Sequence, residues 1–338
     1  MLTGIITAVA AGIMLGLYAL PEKYTRDFEF ENTWGLMFFI NMFIVPFVAG
    51  FLLVDDFWGI ITALSPGVLL PMAVASVLWG IGVMLWGKAI NYIGLSLGFS
   101  LFIGTVILVG SLLPFVVDGL PPQSAFLTIL AGIVVVLIGV IANGRAGIAR
   151  QRDEQEGLAT TQETSAMGAG IAIAVGGGLL ATGFSYANAV GRPTLHELSQ
   201  AAGNPEWVTA VVVMFIIYVA GGLFVAPYFL YQLSKKGYWD KFRTPALGRN
   251  LVLTTVMAIL NFAASVTFAY AAFQLGAAGN TVGYAIFNTV CVAVAIVMGL
   301  LTGEWARASG RARSFLYLGL AAMIAGVVII AYGNSLAM

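Results

Sequence analysis

The sequence predicts an all-α integral membrane protein of ten transmembrane helices, arranged as two inverted five-helix repeats. Three observations carry this expectation. Of the 338 residues, 60% are hydrophobic and only 9% charged, the composition of a polytopic membrane protein. The apolar residues come in runs of about 20, enough to span a bilayer as a helix, and not in the alternating runs of about ten that build a membrane barrel. A polar stretch at 145–166 divides these runs five and five.

The runs lie at 2–20, 34–54, 68–87, 95–117, 125–142, 167–190, 207–233, 251–273, 281–301 and 315–332, each read from unbroken hydrophobicity. No basic residue precedes the first, so it is expected to be a retained span and not a signal peptide. The third and fourth runs meet at Lys88 to Asn91 and predict a tight helical hairpin with its hinge there. Gly94 and Gly98 open one face of the second leg to a neighbouring backbone, while Ser96, Ser100 and Thr105 carry hydroxyls that need partners away from lipid. All but one of the 15 basic residues follow odd-numbered runs, the exception being Arg192. Positive loops stay cytoplasmic, so both termini are expected on the outer side.

Short internal matches support a duplication. Gly4 with Ala8-Val9-Ala10-Ala11-Gly12 recurs as Gly170 with Ala174-Val175-Gly176-Gly177-Gly178, and Ile103-Gly104-Thr105-Val106 answers Phe287-Asn288-Thr289-Val290. An odd number of spans per repeat inverts the second copy, the architecture of alternating access. The expected organisation is a repeat at 1–144, a flexible cytoplasmic linker at 145–166 and a second repeat at 167–338.

Several function classes drop out. Basic and acidic residues balance at 15 each, leaving no stripe for nucleic acid. Cys291 has no partner for an intrachain disulfide. One histidine cannot build a metal site, no phosphate-binding glycine loop is present, and no paired acids or nucleophile with its base lie on the spans. No cofactor or metal is expected, and the chain is read as not an enzyme.

Certain residues carry a family resemblance from end to end. Tyr18-Ala19-Leu20-Pro21-Glu22-Lys23 followed by Trp34, then Trp79-Gly80-Ile81-Gly82 with Tyr92-Ile93-Gly94 and Ser96-Leu97-Gly98, Arg192-Pro193 with His196-Glu197, and Glu304-Trp305 resemble the bacterial L-rhamnose/proton symporters of the drug/metabolite transporter superfamily. The block from Trp79 to Gly98 is the most specific. The resemblance implies the ten-helix inverted-repeat fold in a bacterial inner membrane, as monomer or homodimer. It also implies import of an L-rhamnose-like or other small sugar, with protons. The alternative is an uncoupled facilitator or exporter of a small polar metabolite.

Polar and aromatic residues near the span midpoints are the candidates for binding a sugar: Trp79, Asn261 and Asn288 first, then Thr105, Thr289 and Asn41, with Tyr18 and Tyr284. An amide both donates and accepts hydrogen bonds, as sugar hydroxyls do, and an indole covers the apolar face of a pyranose. The competing role for each asparagine is an interhelical hydrogen bond. Gly104, opposite Asn288 in the repeat, would leave room for a ligand. No carboxylate lies inside an assigned span, so the proton-coupling candidates are His196 with Glu197 and Glu22 at the inner end of the first span. Histidine titrates near neutrality and a carboxylate tunes it. The rival reading of Thr194 and Glu197 is a capping box opening a short helix.

Overall fold

A computed structural model of the chain describes residues 2–117, 120, 122–155, 164–276, 279–303 and 305–336. Glu304 and linker residues 156–163 lie outside them. Every regular element is helical, and no strand occurs among the described residues. The α-helices are α1 (Leu2–Leu17), α2 (Phe30–Phe39), α3 (Val45–Leu53), α4 (Phe57–Ala63), α5 (Pro66–Val117), α6 (Gln123–Gln155), α7 (Thr164–Ala181), α8 (Gly183–Ala201), α9 (Val208–Lys236), α10 (Leu247–Leu275), α11 (Tyr284–Leu301) and α12 (Gly310–Ser335). Nine helical segments of the described residues are long and apolar enough to cross a membrane, and Leu101–Gly110 is a shorter apolar stretch. The protein is therefore a multi-pass helical membrane protein.

α5 keeps helical geometry for 52 residues, about 78 Å if straight, against a hydrocarbon core of roughly 30 Å. It is not straight. The rings of Trp86 and Phe102 stand 5.9 Å apart, where a straight helix would hold them about 24 Å apart. Both legs lie on α7: Gly177 faces Leu85 and Trp86, Gly170 faces Ile93, and Gly178 faces Phe102 and Thr105. The first leg thus runs antiparallel to α7 and the second parallel to it. Ile93 and Leu101 share a cluster with Ala89 and Ala174, so the chain reverses between those two residues. The hairpin is present, but its hinge lies beyond the expected Lys88 to Asn91. No glycine or proline occupies those four positions, and fully buried Ala89 continues the packed face of the first leg.

The chain forms two compact units, Leu2–Ile81 with Gly183–Phe273, and Gly82–Thr182 with Gln274–Met338. Each takes segments from both halves of the sequence. The first is built on α9, whose residues from Val208 to Tyr218 are buried without a break. A helix apolar on all sides belongs in an interior, and α2, α3 and α8 pack around it. Two asparagines clamp its loops. Asn250 accepts from the Arg26 N–H at 3.1 Å and donates to the Arg26 carbonyl at 2.8 Å. Asn204 does the same to Asp55, at 2.8 and 3.0 Å. Lys236 pairs with Glu31, and Lys241 with Glu29.

α8 departs from expectation. The sequence placed a loop at 191–206 with a helix starting at Thr194, yet one helix runs from Gly183 to Ala201 with Pro193 inside it. Ser185, Asn188, Arg192, His196 and Ser199 recur at three- and four-residue spacing and so share one helix face. That face, not the capping pattern, decides the local structure.

In the second unit α6 and α12 are the most extensively packed pair. Gly132 and Gly139 on α6 meet Gly326 and Gly319 on α12, antiparallel and seven residues apart. A Cβ on Gly139 would stand 2.7 Å from the Gly319 carbonyl oxygen, so only glycine permits this approach. α6 also continues to Gln155, past the expected linker start at Arg145, because no proline interrupts 145–155. Its last turns are anchored: Arg150 lies over the Trp305 ring at 5.1 Å, and Asp153 accepts the Ser309 N–H at 2.8 Å. That bond holds the Asp153 carboxyl below the usual carboxylate range.

Candidate functional site

The α9 unit contains a buried polar network. Between α2 and α3, residues Ile40–Ile44 form a π-helical turn, closed by the Val45 N–H bonding the Ile40 carbonyl. Pro46 follows at once and has no N–H to offer Met42, which removes one α-helical bond. The widened turn, a feature found often at functional sites, carries Asn41 into the interior, where it is fully buried. Asn41 Nδ2 donates to Asn261 Oδ1 of α10 at 2.9 Å. The same oxygen accepts the Tyr218 hydroxyl of α9 at 2.9 Å, and Tyr218 lies 2.6 Å from Ser265 Oγ. With one proton per hydroxyl, Ser265 donates to Tyr218 and Tyr218 to Asn261.

The network still has free chemistry. Asn41 Oδ1 is buried with no partner, and half-buried Asn261 spends only its oxygen, leaving its NH2 group as a donor. Against Tyr218 stands Trp79, half-buried, with its ring 5.2 Å from Tyr218 and 5.6 Å from Phe184. A Cβ on Gly221 would meet that indole at 2.9 Å, so the glycine makes its seat. Donor, acceptor and aromatic face are thus gathered from the π-helical turn, α5, α9 and α10 within one unit.

Three predicted residues, Trp79, Asn41 and Asn261, meet here. Tyr218 and Ser265 were not singled out from the sequence. Tyr218 sits in an unbroken apolar run, and only its position three residues before Gly221 and Gly222 marks it.

The other predicted residues lie elsewhere. Asn288 Nδ2 donates to the Tyr284 carbonyl of its own helix at 2.9 Å, and Thr105 Oγ1 to the Leu101 carbonyl at 2.8 Å. Thr289 Oγ1 is buried without a partner, and Tyr284 is buried beside Phe287. Gly104 faces Val140 of α6, 3.0 Å from where its Cβ would stand, which is helix packing and not open space. All of these belong to the second unit.

At the end of α1, Glu22 Oε1 accepts the Trp34 indole N–H at 2.6 Å, and Tyr18 meets Trp34 edge-on at 5.9 Å. Tyr18 and Glu22 therefore share one partner, Trp34, which is buried. On α8, His196 Nδ1 lies 3.2 Å from Thr209 Oγ1 and its ring 4.8 Å from Phe273. Glu197 is exposed, since neighbours in a helix point about 100° apart, and it does not face the histidine.

Fold and site define a multi-pass helical membrane protein with hydrogen-bonding groups buried among its spans. The chain belongs to the L-rhamnose-proton symport protein (RhaT) family, whose model matches residues 1–336. It is similar to the L-rhamnose-proton symporter of Cronobacter sakazakii, 26% identical over 342 residues, covering 98% of this chain and 97% of that one. The symporters of Citrobacter koseri and Escherichia coli are 24% identical over 323 residues and 25% over 326, each covering 93% of this chain and 92% of the relative.

Proposed function

We propose that this protein is a secondary active transporter that imports a small sugar, L-rhamnose-like or another monosaccharide, with protons. It works by alternating access in a bacterial inner membrane, through ten spans in two inverted repeats with both termini outward. The observation that carries the reading is the unsatisfied chemistry of the α9 unit: a buried acceptor on Asn41 and a free donor on Asn261, joined through Tyr218 to the Trp79 indole. These are the groups a pyranose uses, amides for its hydroxyls and an aromatic face for its C–H side. Relatives named L-rhamnose-proton symporters along almost the whole chain support the same reading. His196 and Glu22 are the coupling candidates.

One observation favours the second reading, an uncoupled facilitator or exporter of a small polar metabolite: no Asp or Glu is among the buried residues described. Solid-supported-membrane recording on proteoliposomes separates the two. L-Rhamnose, L-fucose, D-glucose, D-ribose and a polyol are added in turn at two pH values. A pH-dependent current with one sugar is expected. Exchange of labelled sugar without current at either pH would remove proton coupling and leave the facilitator.

A further inference from the structure

A second group of unsatisfied residues lies on α8, and the network above does not use it. Asn188 is fully buried, and neither its Nδ2 nor its Oδ1 has a partner. One turn on, half-buried Arg192 has an unpartnered Nη1. Its guanidinium stands over the Phe273 ring at 5.7 Å, and no carboxylate comes within ion-pair distance of it among the described residues. Both side chains line one small pocket with Thr209, Tyr270 and exposed Glu206. Arg192 is also the one basic residue that the distribution of positive loops does not explain.

We propose that this pocket binds the carboxylate of a small hydroxylated solute, such as a sugar acid. A guanidinium has five donors and no acceptor, and its fork matches the two oxygens of a carboxylate. A cation within a membrane segment calls for a counter-charge, and among the described residues no carboxylate, the exposed Glu206 of the same pocket included, comes within ion-pair distance of it. The buried Asn188 amide, with donor and acceptor both open, suits a neighbouring hydroxyl. Glu206 at the same pocket opposes a dianion and so favours a monocarboxylate over a phosphate ester. The Phe273 ring holds the guanidinium by cation–π attraction, and His196, against that same ring and bonded to Thr209, fixes the wall behind it.

The inference deepens the carrier reading, on which it rests, by giving the solute a charge. The test uses the full chain purified in detergent in chloride-free buffer. Its thermal midpoint is followed against sodium D-galacturonate, D-galactose, L-rhamnose and sodium chloride at matched ionic strength. Galacturonate is expected to raise the midpoint where D-galactose at the same concentration does not. Arg192→Gln is expected to weaken that response about tenfold or more, the loss of a charge-assisted bond, with Arg192→Lys intermediate. Asn188→Ala gives a second variant should Arg192→Gln fail to fold. A response to neutral sugar that Arg192→Gln leaves intact, with none to galacturonate, would overturn the inference and keep the sugar carrier. Chloride alone matching galacturonate would assign the pocket to an inorganic anion and overturn it. No response to any sugar or acid would count against both readings.

Discussion

The two units solve the same problem, holding helices together in lipid, by different means. In the α9 unit polar side chains reach across helices: Asn41, Asn261, Tyr218 and Ser265 form one chain linking the π-helical turn, α9 and α10. In the other unit the closest helices, α6 and α12, meet glycine to glycine, while Asn288 and Thr105 bond only to their own backbones. Glycine seams gain dispersion by bringing backbones close, whereas crossing hydrogen bonds average only about 0.6 kcal/mol each in membranes. The second means is the weaker glue. It is also the one that leaves amide groups placed to meet a ligand.

The largest effect is expected at the seam. Gly139→Val puts branched carbons where backbone atoms of Gly319 and Met323 already stand, and overpacking costs about 1–3 kcal/mol or more. A lowered melting midpoint and loss of the monodisperse peak in detergent would show it; an unchanged midpoint would mean that the seam is not what holds this unit. Next comes Asn261→Leu, which strips a shared acceptor from Asn41 and Tyr218. Buried groups left unsatisfied cost about 1–3 kcal/mol, and sugar-dependent quenching of tryptophan fluorescence should vanish with it. Tyr218→Phe keeps the ring against Trp79 but removes the hydroxyl, so about 0.6–1.7 kcal/mol is expected, with weaker sugar binding.

Asn288→Ala loses only a bond within its own turn, and its midpoint should move less than that of Tyr218→Phe. A larger shift would break the contrast between the units. A large loss of transport at unchanged midpoint would instead make Asn288 a ligand-binding residue. The smallest effect concerns Asp153→Asn. The folded carboxyl titrates below its unfolded value because it accepts the Ser309 N–H, so its contribution is complete above the unfolded pKa and fades as pH falls through the folded one. The variant should differ from the parent at neutral pH and converge with it in acid, read as melting midpoint against pH.

Much of the fold was legible because bilayer thickness imposes run length. Trp79, Asn41 and Asn261, which the buried network joins, stand out in the sequence for the same reason, a polar or aromatic residue at the middle of an apolar run being conspicuous. What escaped depended on direction around a helix. Asn288 looked equivalent to Asn261, yet one bonds along its helix and the other across to a neighbour, a choice that span position does not encode. Tyr218 was hidden by its apolar surroundings. The stripe on α8 was readable from its three- and four-residue spacing, but Pro193 and the density of polar residues marked that stretch as loop. At 145–155 the density of charge reads as a linker, while the helix itself continues to Gln155.

The wide turn at Ile40–Ile44 has a consequence for how this gene can change. It holds one residue more than an ordinary helical turn, so this stretch has in effect already absorbed an insertion. Deleting Phe43 would let the Val45 N–H reach the same Ile40 carbonyl as an ordinary α-helical bond, so α3 would keep its phase and Phe47 its place beside Phe215, whose rings now stand 4.9 Å apart. A length difference of one residue between Asn41 and Pro46 is therefore taken up in the width of this turn, the stretch that carries Asn41 inward, and leaves the phase of α3 as it is.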